Sequence, residues 1–148
     1  GHYDKTHLFG MAGEPEHISA GNVKAEMVVK GFKIRPIICY DLRFPYTSFN
    51  DTEYDVLLNV ASWPSQRIAH WDALLQARAI ENQAYVIGAN RIGLDGKDRI
   101  YSGGSSICDP NGNTMELKIE SKEIQSVFLS IEDLNIIRGN LPFLKDQD

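Results

Sequence analysis

Apolar runs and turn signals alternate along the whole chain, and the period of the alternation changes from place to place. Val23 to Gly31 alternates apolar and polar side chains and predicts a strand; Phe32 to Cys39 predicts a second, with Lys30-Gly31 as a tight hairpin connection between them. Asp55 to Ala61 is a short, nearly continuous apolar run, the pattern of a strand covered on both faces. From Ser65 to Asn82 the period becomes helical. Ile68, Trp71, Leu74, Leu75, Arg78 and Ala79 recur at three- and four-residue spacing behind the start signal Pro64-Ser65. Ala84 to Ala89 predicts another buried strand, and Gly93 to Gly96 a turn. Strands over Ser105 to Cys108 and Thr114 to Ile119 bracket the turn Asp109-Pro110-Asn111-Gly112; Ser126 to Ser130 predicts a last strand and Ile131 to Ile137 a short helix. Hairpins combined with a strand–helix–strand unit define an α/β domain whose sheet is partly antiparallel. No repeat, low-complexity stretch or linker divides it, so residues 1–148 read as one unit.

Composition narrows the classes. With 148 residues, 43% hydrophobic and 24% charged, the chain suits a folded domain with its own core. Two cysteines cannot form a disulfide scaffold, and the first residues lack the cationic, apolar and small-residue stages of a signal peptide; the expectation is a reducing, cytoplasmic setting. No apolar run approaches the roughly 20 residues that span a bilayer. Fifteen Lys and Arg against 20 Asp and Glu, a net charge of −5, provide no basic footprint for nucleic acid. The expected partner is a small molecule rather than a membrane or a nucleic acid.

Candidate chemistry centres on few residues. Cys39 closes an apolar strand and precedes Tyr40-Asp41-Leu42-Arg43-Phe44-Pro45, where the chain must turn sharply into a helix or loop. Backbone N–H groups after such a corner can face an oxyanion, and Arg43 is close enough in sequence to help keep the sulfur as thiolate, its nucleophilic form. Taken alone, a cysteine ending an apolar strand is more often a small core residue. Cys108, inside an ordinary strand, reads as structural. Lys5, among Tyr3, Asp4, Thr6 and His7, is either a fixed cation in a cleft or a solvated lysine. The spacing of His7 and His17 fits no metal-ligand pair, and Gly103-Gly104 lacks the surroundings of a phosphate loop. Trp63 and Trp71 are pocket walls or core residues, the latter reading better for Trp71; Asn59 and Asn90 either aim amides at a ligand or tie down loops.

Taken together, Tyr3-Asp4-Lys5-Thr6-His7-Leu8-Phe9, Cys39-Tyr40-Asp41-Leu42-Arg43-Phe44-Pro45, Ala77-Arg78-Ala79-Ile80-Glu81-Asn82 with Tyr85, and Tyr101, Gly103, Ser105 and Asp109-Pro110-Asn111-Gly112 resemble the nitrilase, or carbon–nitrogen hydrolase, superfamily. Lys5 to Phe9, Cys39 to Pro45 and Asn59-Val60-Ala61-Ser62-Trp63-Pro64 look most like its omega-amidase branch. The resemblance implies a nitrilase-type four-layer αββα sandwich with mixed sheets, no metal and no organic cofactor. It also implies hydrolysis of a small linear amide through a cysteinyl thioester, the alternatives being a nitrile or carbamoyl hydrolase of the same superfamily, or a non-catalytic fragment or pseudoenzyme that acts by association. Cys39 falls on the nucleophile, Lys5 on the catalytic lysine, and Glu14 on a supporting glutamate, with Glu16 the alternative. Tyr40, Arg43 and Trp63 are the expected substrate-binding residues, Arg43 for the free carboxylate of a dicarboxylic acid monoamide. In the family the general-base glutamate comes from a strand well upstream of the lysine. The chain is accordingly expected to be the C-terminal portion of the domain, inactive alone, with a separate N-terminal segment of the same protein as a further partner. The resemblance further implies a homodimer, for which Arg78 to Tyr85 and the tail Leu141-Pro142-Phe143-Leu144 are the expected surface.

Overall fold

The computed structural model describes residues 1–121 and 124–146. Its main sheet contains β1 (Met27–Val29), β2 (Phe32–Ile38), β3 (Val56–Ala61), β4 (Tyr85–Asn90) and β7 (Ser106–Cys108), in the order β1-β2-β3-β4-β7. The three central strands run parallel, in a register that sets Ile38 beside Val60 and Asn59 beside Gly88. The edge strands β1 and β7 pair antiparallel, so the sheet is mixed as the sequence predicts. Between β2 and β3 lies the one-turn helix α1 (Pro45–Ser48); β3 and β4 are joined by α2 (Ile68–Asn82), which is preceded by a 3-10 turn over Ser65–Arg67.

The two faces of the sheet are covered differently. Trp71, Leu75 and Ala79 of α2 pack on Ile37, Leu57, Val86 and Cys108 in one cluster. Each large side chain removed from water there contributes roughly 1.5–3 kcal/mol. The fit requires Gly88, where an added Cβ would stand 2.6 Å from both Leu75 Cδ1 and Trp71 Cζ2. On the other face Val56 and Tyr85 meet Leu134 of the C-terminal helix α3 (Ile131–Asn140). Val60, at the far end of that face, stays 47% exposed. Sheet and α2 supply two of the four layers of an αββα sandwich.

The minor elements depart from the sequence pattern. Of Val23 to Gly31 only Met27–Val29 pairs, because Lys24 and Glu26 turn outward into ion pairs with Asp51 (2.5 Å) and Arg35 (2.6 Å). Lys30 and Gly31 both adopt positive φ, the tight turn expected between β1 and β2. Gly93 and Leu94 are not a turn but lie in β5 (Ile92–Leu94), paired with β6 (Ile100–Ser102); the reversal falls later, where Asp95 Oδ1 accepts the Lys97 and Arg99 N–H groups. The Asp109 to Gly112 turn forms as expected. The strand expected after it shrinks to one bridge at Thr114 and to β8 (Lys118–Ile119), paired with β9 (Gln125–Ser126). Val127 to Ser130 leaves the ladder because Ser130 caps α3, its Oγ accepting the Asp133 N–H at 3.1 Å. Among the described residues no helix is long and apolar enough to cross a membrane.

Candidate active site

The site lies at the carboxyl ends of the parallel strands, where their backbone groups stop pairing. Immediately after β2 the chain enters a 3-10 turn over Cys39–Arg43, and Cys39 takes a left-handed conformation, φ 47°. A non-glycine residue holds that conformation only under outside constraint. The constraints are explicit. Asn59 Oδ1 accepts the Cys39 N–H at 2.7 Å, and Asp41 Oδ2 accepts the Ile38 N–H at 3.0 Å. Asp41 is fully buried, and its carboxylate also accepts the Tyr3 hydroxyl at 2.9 Å and the His7 N–H at 2.8 Å. One carboxylate therefore joins the Cys39 corner to the amino-terminal segment on both sides of Lys5.

That segment delivers the lysine. Lys5 is 9% exposed, and its Nζ donates to Glu14 Oε1 at 2.7 Å and Oε2 at 2.5 Å. Glu14 Oε2 in turn accepts the Phe9 N–H at 2.7 Å. Burial raises the Glu14 pKa, but the Lys5 ammonium and the Phe9 N–H outweigh it and hold the carboxyl below the usual range. Glu16, the alternative in sequence, is exposed, and it is Glu14 that meets Lys5.

Burial pushes the Cys39 thiol above its ordinary pKa; the Ser62 carbonyl, 3.9 Å from Sγ, and the Lys5 charge oppose it only in part. The expectation that Arg43 keeps this sulfur as thiolate is thus corrected: desolvation dominates, and the cation acting on the sulfur is Lys5. A thiol so placed needs a base to remove its proton.

Lys5, Glu14, Cys39, Tyr40, Arg43 and Trp63, scattered along the sequence, all line one cavity of about 1110 Å³. The Arg43 guanidinium stacks over the Trp63 ring at 4.7 Å and meets His70 Nδ1 at 3.2 Å. Both asparagines left open by the sequence tie loops: Asn59 holds the Cys39 N–H, and Asn90 accepts from the Trp63 N–H at 2.7 Å while donating to the Trp63 and Gly103 carbonyls. Trp71 is fully buried in the core and donates to the Gly104 carbonyl. Arg67 and Arg99 also line the cavity. Neither stands out in sequence, where an arginine at a helix start or in a polar turn reads as solvated. Among the described residues no group of three or more His, Cys, Asp or Glu side chains is arranged to hold a metal ion.

A half-buried cysteine just beyond the carboxyl end of β2 and a buried lysine bound to a partly exposed glutamate thus share one cavity. The model of the carbon–nitrogen hydrolase family matches residues 1–135, and the chain belongs to that family. Within it the similarity runs to the omega-amidase branch. Omega-amidase YafV of Escherichia coli (strain K12) is 45% identical over 147 residues, which cover 99% of this chain and 57% of that protein. The 2-oxoglutaramate amidase of Paenarthrobacter nicotinovorans is 36% identical, over 98% of this chain and 51% of that protein. Among solved structures, XC1258 from Xanthomonas campestris, a CN-hydrolase superfamily protein with an arsenic adduct in its active site, superposes with a TM-score of 0.91 at 38% identity, over 99% of this chain and 58% of that one. The chain thus spans little more than half the length of these relatives.

Proposed function

We propose that this chain carries the nucleophile and the oxyanion-side lysine of an amidase that hydrolyses a small linear amide, the monoamide of a short dicarboxylic acid, to carboxylate and ammonia. The observation that carries the reading is the meeting of Cys39, Lys5 and Glu14 on one cavity. In this reading Cys39 Sγ, once deprotonated, forms a bond to the amide carbon, and the negative charge moves to the carbonyl oxygen. Lys5 and the Tyr40 backbone N–H stabilise that oxyanion. The C–N bond then breaks, ammonia leaves with the proton taken from sulfur, and a thioester remains. Water adds to the thioester carbon, the C–S bond breaks, and the acid and the free thiol are released.

The reaction needs a general base. Among the described residues the acids on the cavity are Asp4, exposed, and Glu14, engaged by Lys5. We assign the base to a glutamate of the full-length protein outside these 148 residues, and Glu14 to holding and orienting Lys5. This chain is then the C-terminal portion of the domain, inactive without the remainder. The names of the relatives support an ω-amide substrate. The test is ammonia release by the full-length protein from a panel of amides, with Cys39→Ala beside it. Loss of activity by about 10⁴-fold or more is expected for removal of a nucleophile; surviving activity in that variant overturns the assignment.

A further inference from the structure

The cavity holds more positive charge than the chemistry at Cys39 uses. Lys5 and Glu14 cancel each other, yet Arg43, Arg67 and Arg99 line the same walls. The three guanidinium groups differ in what already occupies them. Arg43 lies over Trp63 at 4.7 Å and meets His70 Nδ1 at 3.2 Å, so both its face and one nitrogen are engaged within the protein. Arg99 stands 4.0 Å from Asp95 Oδ2, a carboxylate that also accepts the Tyr101 hydroxyl. Arg67 has neither arrangement. Its backbone carbonyl fixes the Trp63 indole at 2.8 Å, and its guanidinium lies 5.8 Å over the Phe9 ring. Among the described residues no acceptor hydrogen-bonds that guanidinium and no acid pairs with it.

With its guanidinium carbon 5.8 Å from the Phe9 ring centroid and no hydrogen-bond acceptor among the described residues, Arg67 keeps N–H groups available to grip a carboxylate through two parallel hydrogen bonds. The ring under Arg67 belongs to Phe9, whose own N–H is bound by the glutamate that holds Lys5. Arg67 and Lys5 are therefore supported by the same short loop. Resting on the amidase reading above, we propose that Arg67, rather than Arg43, binds the free carboxylate of the substrate and sets the preference for an ω-amide acid over a neutral amide. Arg43 then serves to pack Trp63 into the cavity wall.

The experiment uses the full-length protein and two substrates, glutaramate and the uncharged amide of similar length, valeramide, assayed for ammonia. The readout is the ratio of their kcat/KM values on one preparation, so any loss of folded protein cancels. Arg67→Gln is expected to lower the acid-to-neutral ratio by about 100-fold, mainly through KM for glutaramate, as for loss of a close charge pair. Arg67→Lys restores part of it, and Arg43→Gln depresses both substrates together. An unchanged ratio in Arg67→Gln, a collapse of the ratio in Arg43→Gln instead, or a wild-type protein that takes both amides equally overturns the role of Arg67 and leaves the amidase reading standing. A wild-type protein that releases ammonia from neither these nor any other amide removes both.

Discussion

Cys39 and Cys108 sit at the ends of strands in the same sheet, both as free thiols, and burial pushes both above the ordinary thiol pKa. Their surroundings otherwise have little in common. Cys108 is 1% exposed, closes β7 in regular extended backbone and fills the space under α2 beside Val86 and Leu75. Cys39 is half-buried, stands just beyond its strand in a left-handed conformation, opens on the cavity and shares it with the Lys5 ammonium, whose charge acts on the sulfur. A raised thiol pKa therefore does not distinguish the cysteine on the cavity from the one packed in the core. Access, backbone geometry and the lysine across the gap do.

The Lys5 charge sets the surroundings of the two thiols apart. Lys5→Met in the full-length protein keeps most of the side-chain volume and removes a charge that acts on Cys39 and on Glu14 but not on Cys108. The loss of an oxyanion partner predicts a fall in kcat of about 10²–10³-fold, measured by ammonia release, with little change in KM. A fall confined to KM would move Lys5 from the transition state to ground-state binding. A smaller effect sharpens the contrast between the thiols themselves. Alkylation by iodoacetamide, read by mass spectrometry of peptides, is expected at Cys39 in the folded protein and at Cys108 only after unfolding. Because the thiolate is the reactive form and burial raises the Cys39 pKa, its rate at neutral pH should lie below that of an unhindered thiol and keep climbing as pH rises past the ordinary thiol range. Since the Lys5 charge opposes that rise, Lys5→Met should displace the profile to still higher pH. A displacement to lower pH would contradict the placement of Lys5 beside the sulfur.

What can be read in the sequence depends on how local the signal is. The α2 helix and strands β3 and β4 are legible because their side-chain period is imposed by burial, residue after residue. Cys39, Lys5 and Glu14 are legible as a resemblance carried by short motifs, and the structure brings them to one cavity. Asp41 is not, since its importance lies in accepting hydrogen bonds from Tyr3 and His7, 38 and 34 residues away. No period or local motif reports a contact across that span. Arg67 escapes the sequence for a related reason: its significance is the lack of a protein partner among the described residues, a fact about three-dimensional neighbours. The β5–β6 ribbon reads as a bare turn because Gly93 is turn-like in sequence, whereas its φ of 107° is accommodated within the strand.

The left-handed backbone at Cys39 sets a conformational cost on any side chain kept at that corner. A β-carbon in that region of φ and ψ is unfavourable, and glycine there relieves the cost while gaining nothing else from the site. Cys39→Gly and Cys39→Ala both discard the sulfur, but only alanine keeps the steric conflict. In urea titrations of the full-length protein the glycine variant should match or exceed the alanine variant by roughly 1 kcal/mol, the reverse of the usual ranking of these residues. If alanine proves the more stable, the strain is not there. If glycine does, selection has kept a folding handicap at this corner for the sake of one sulfur atom.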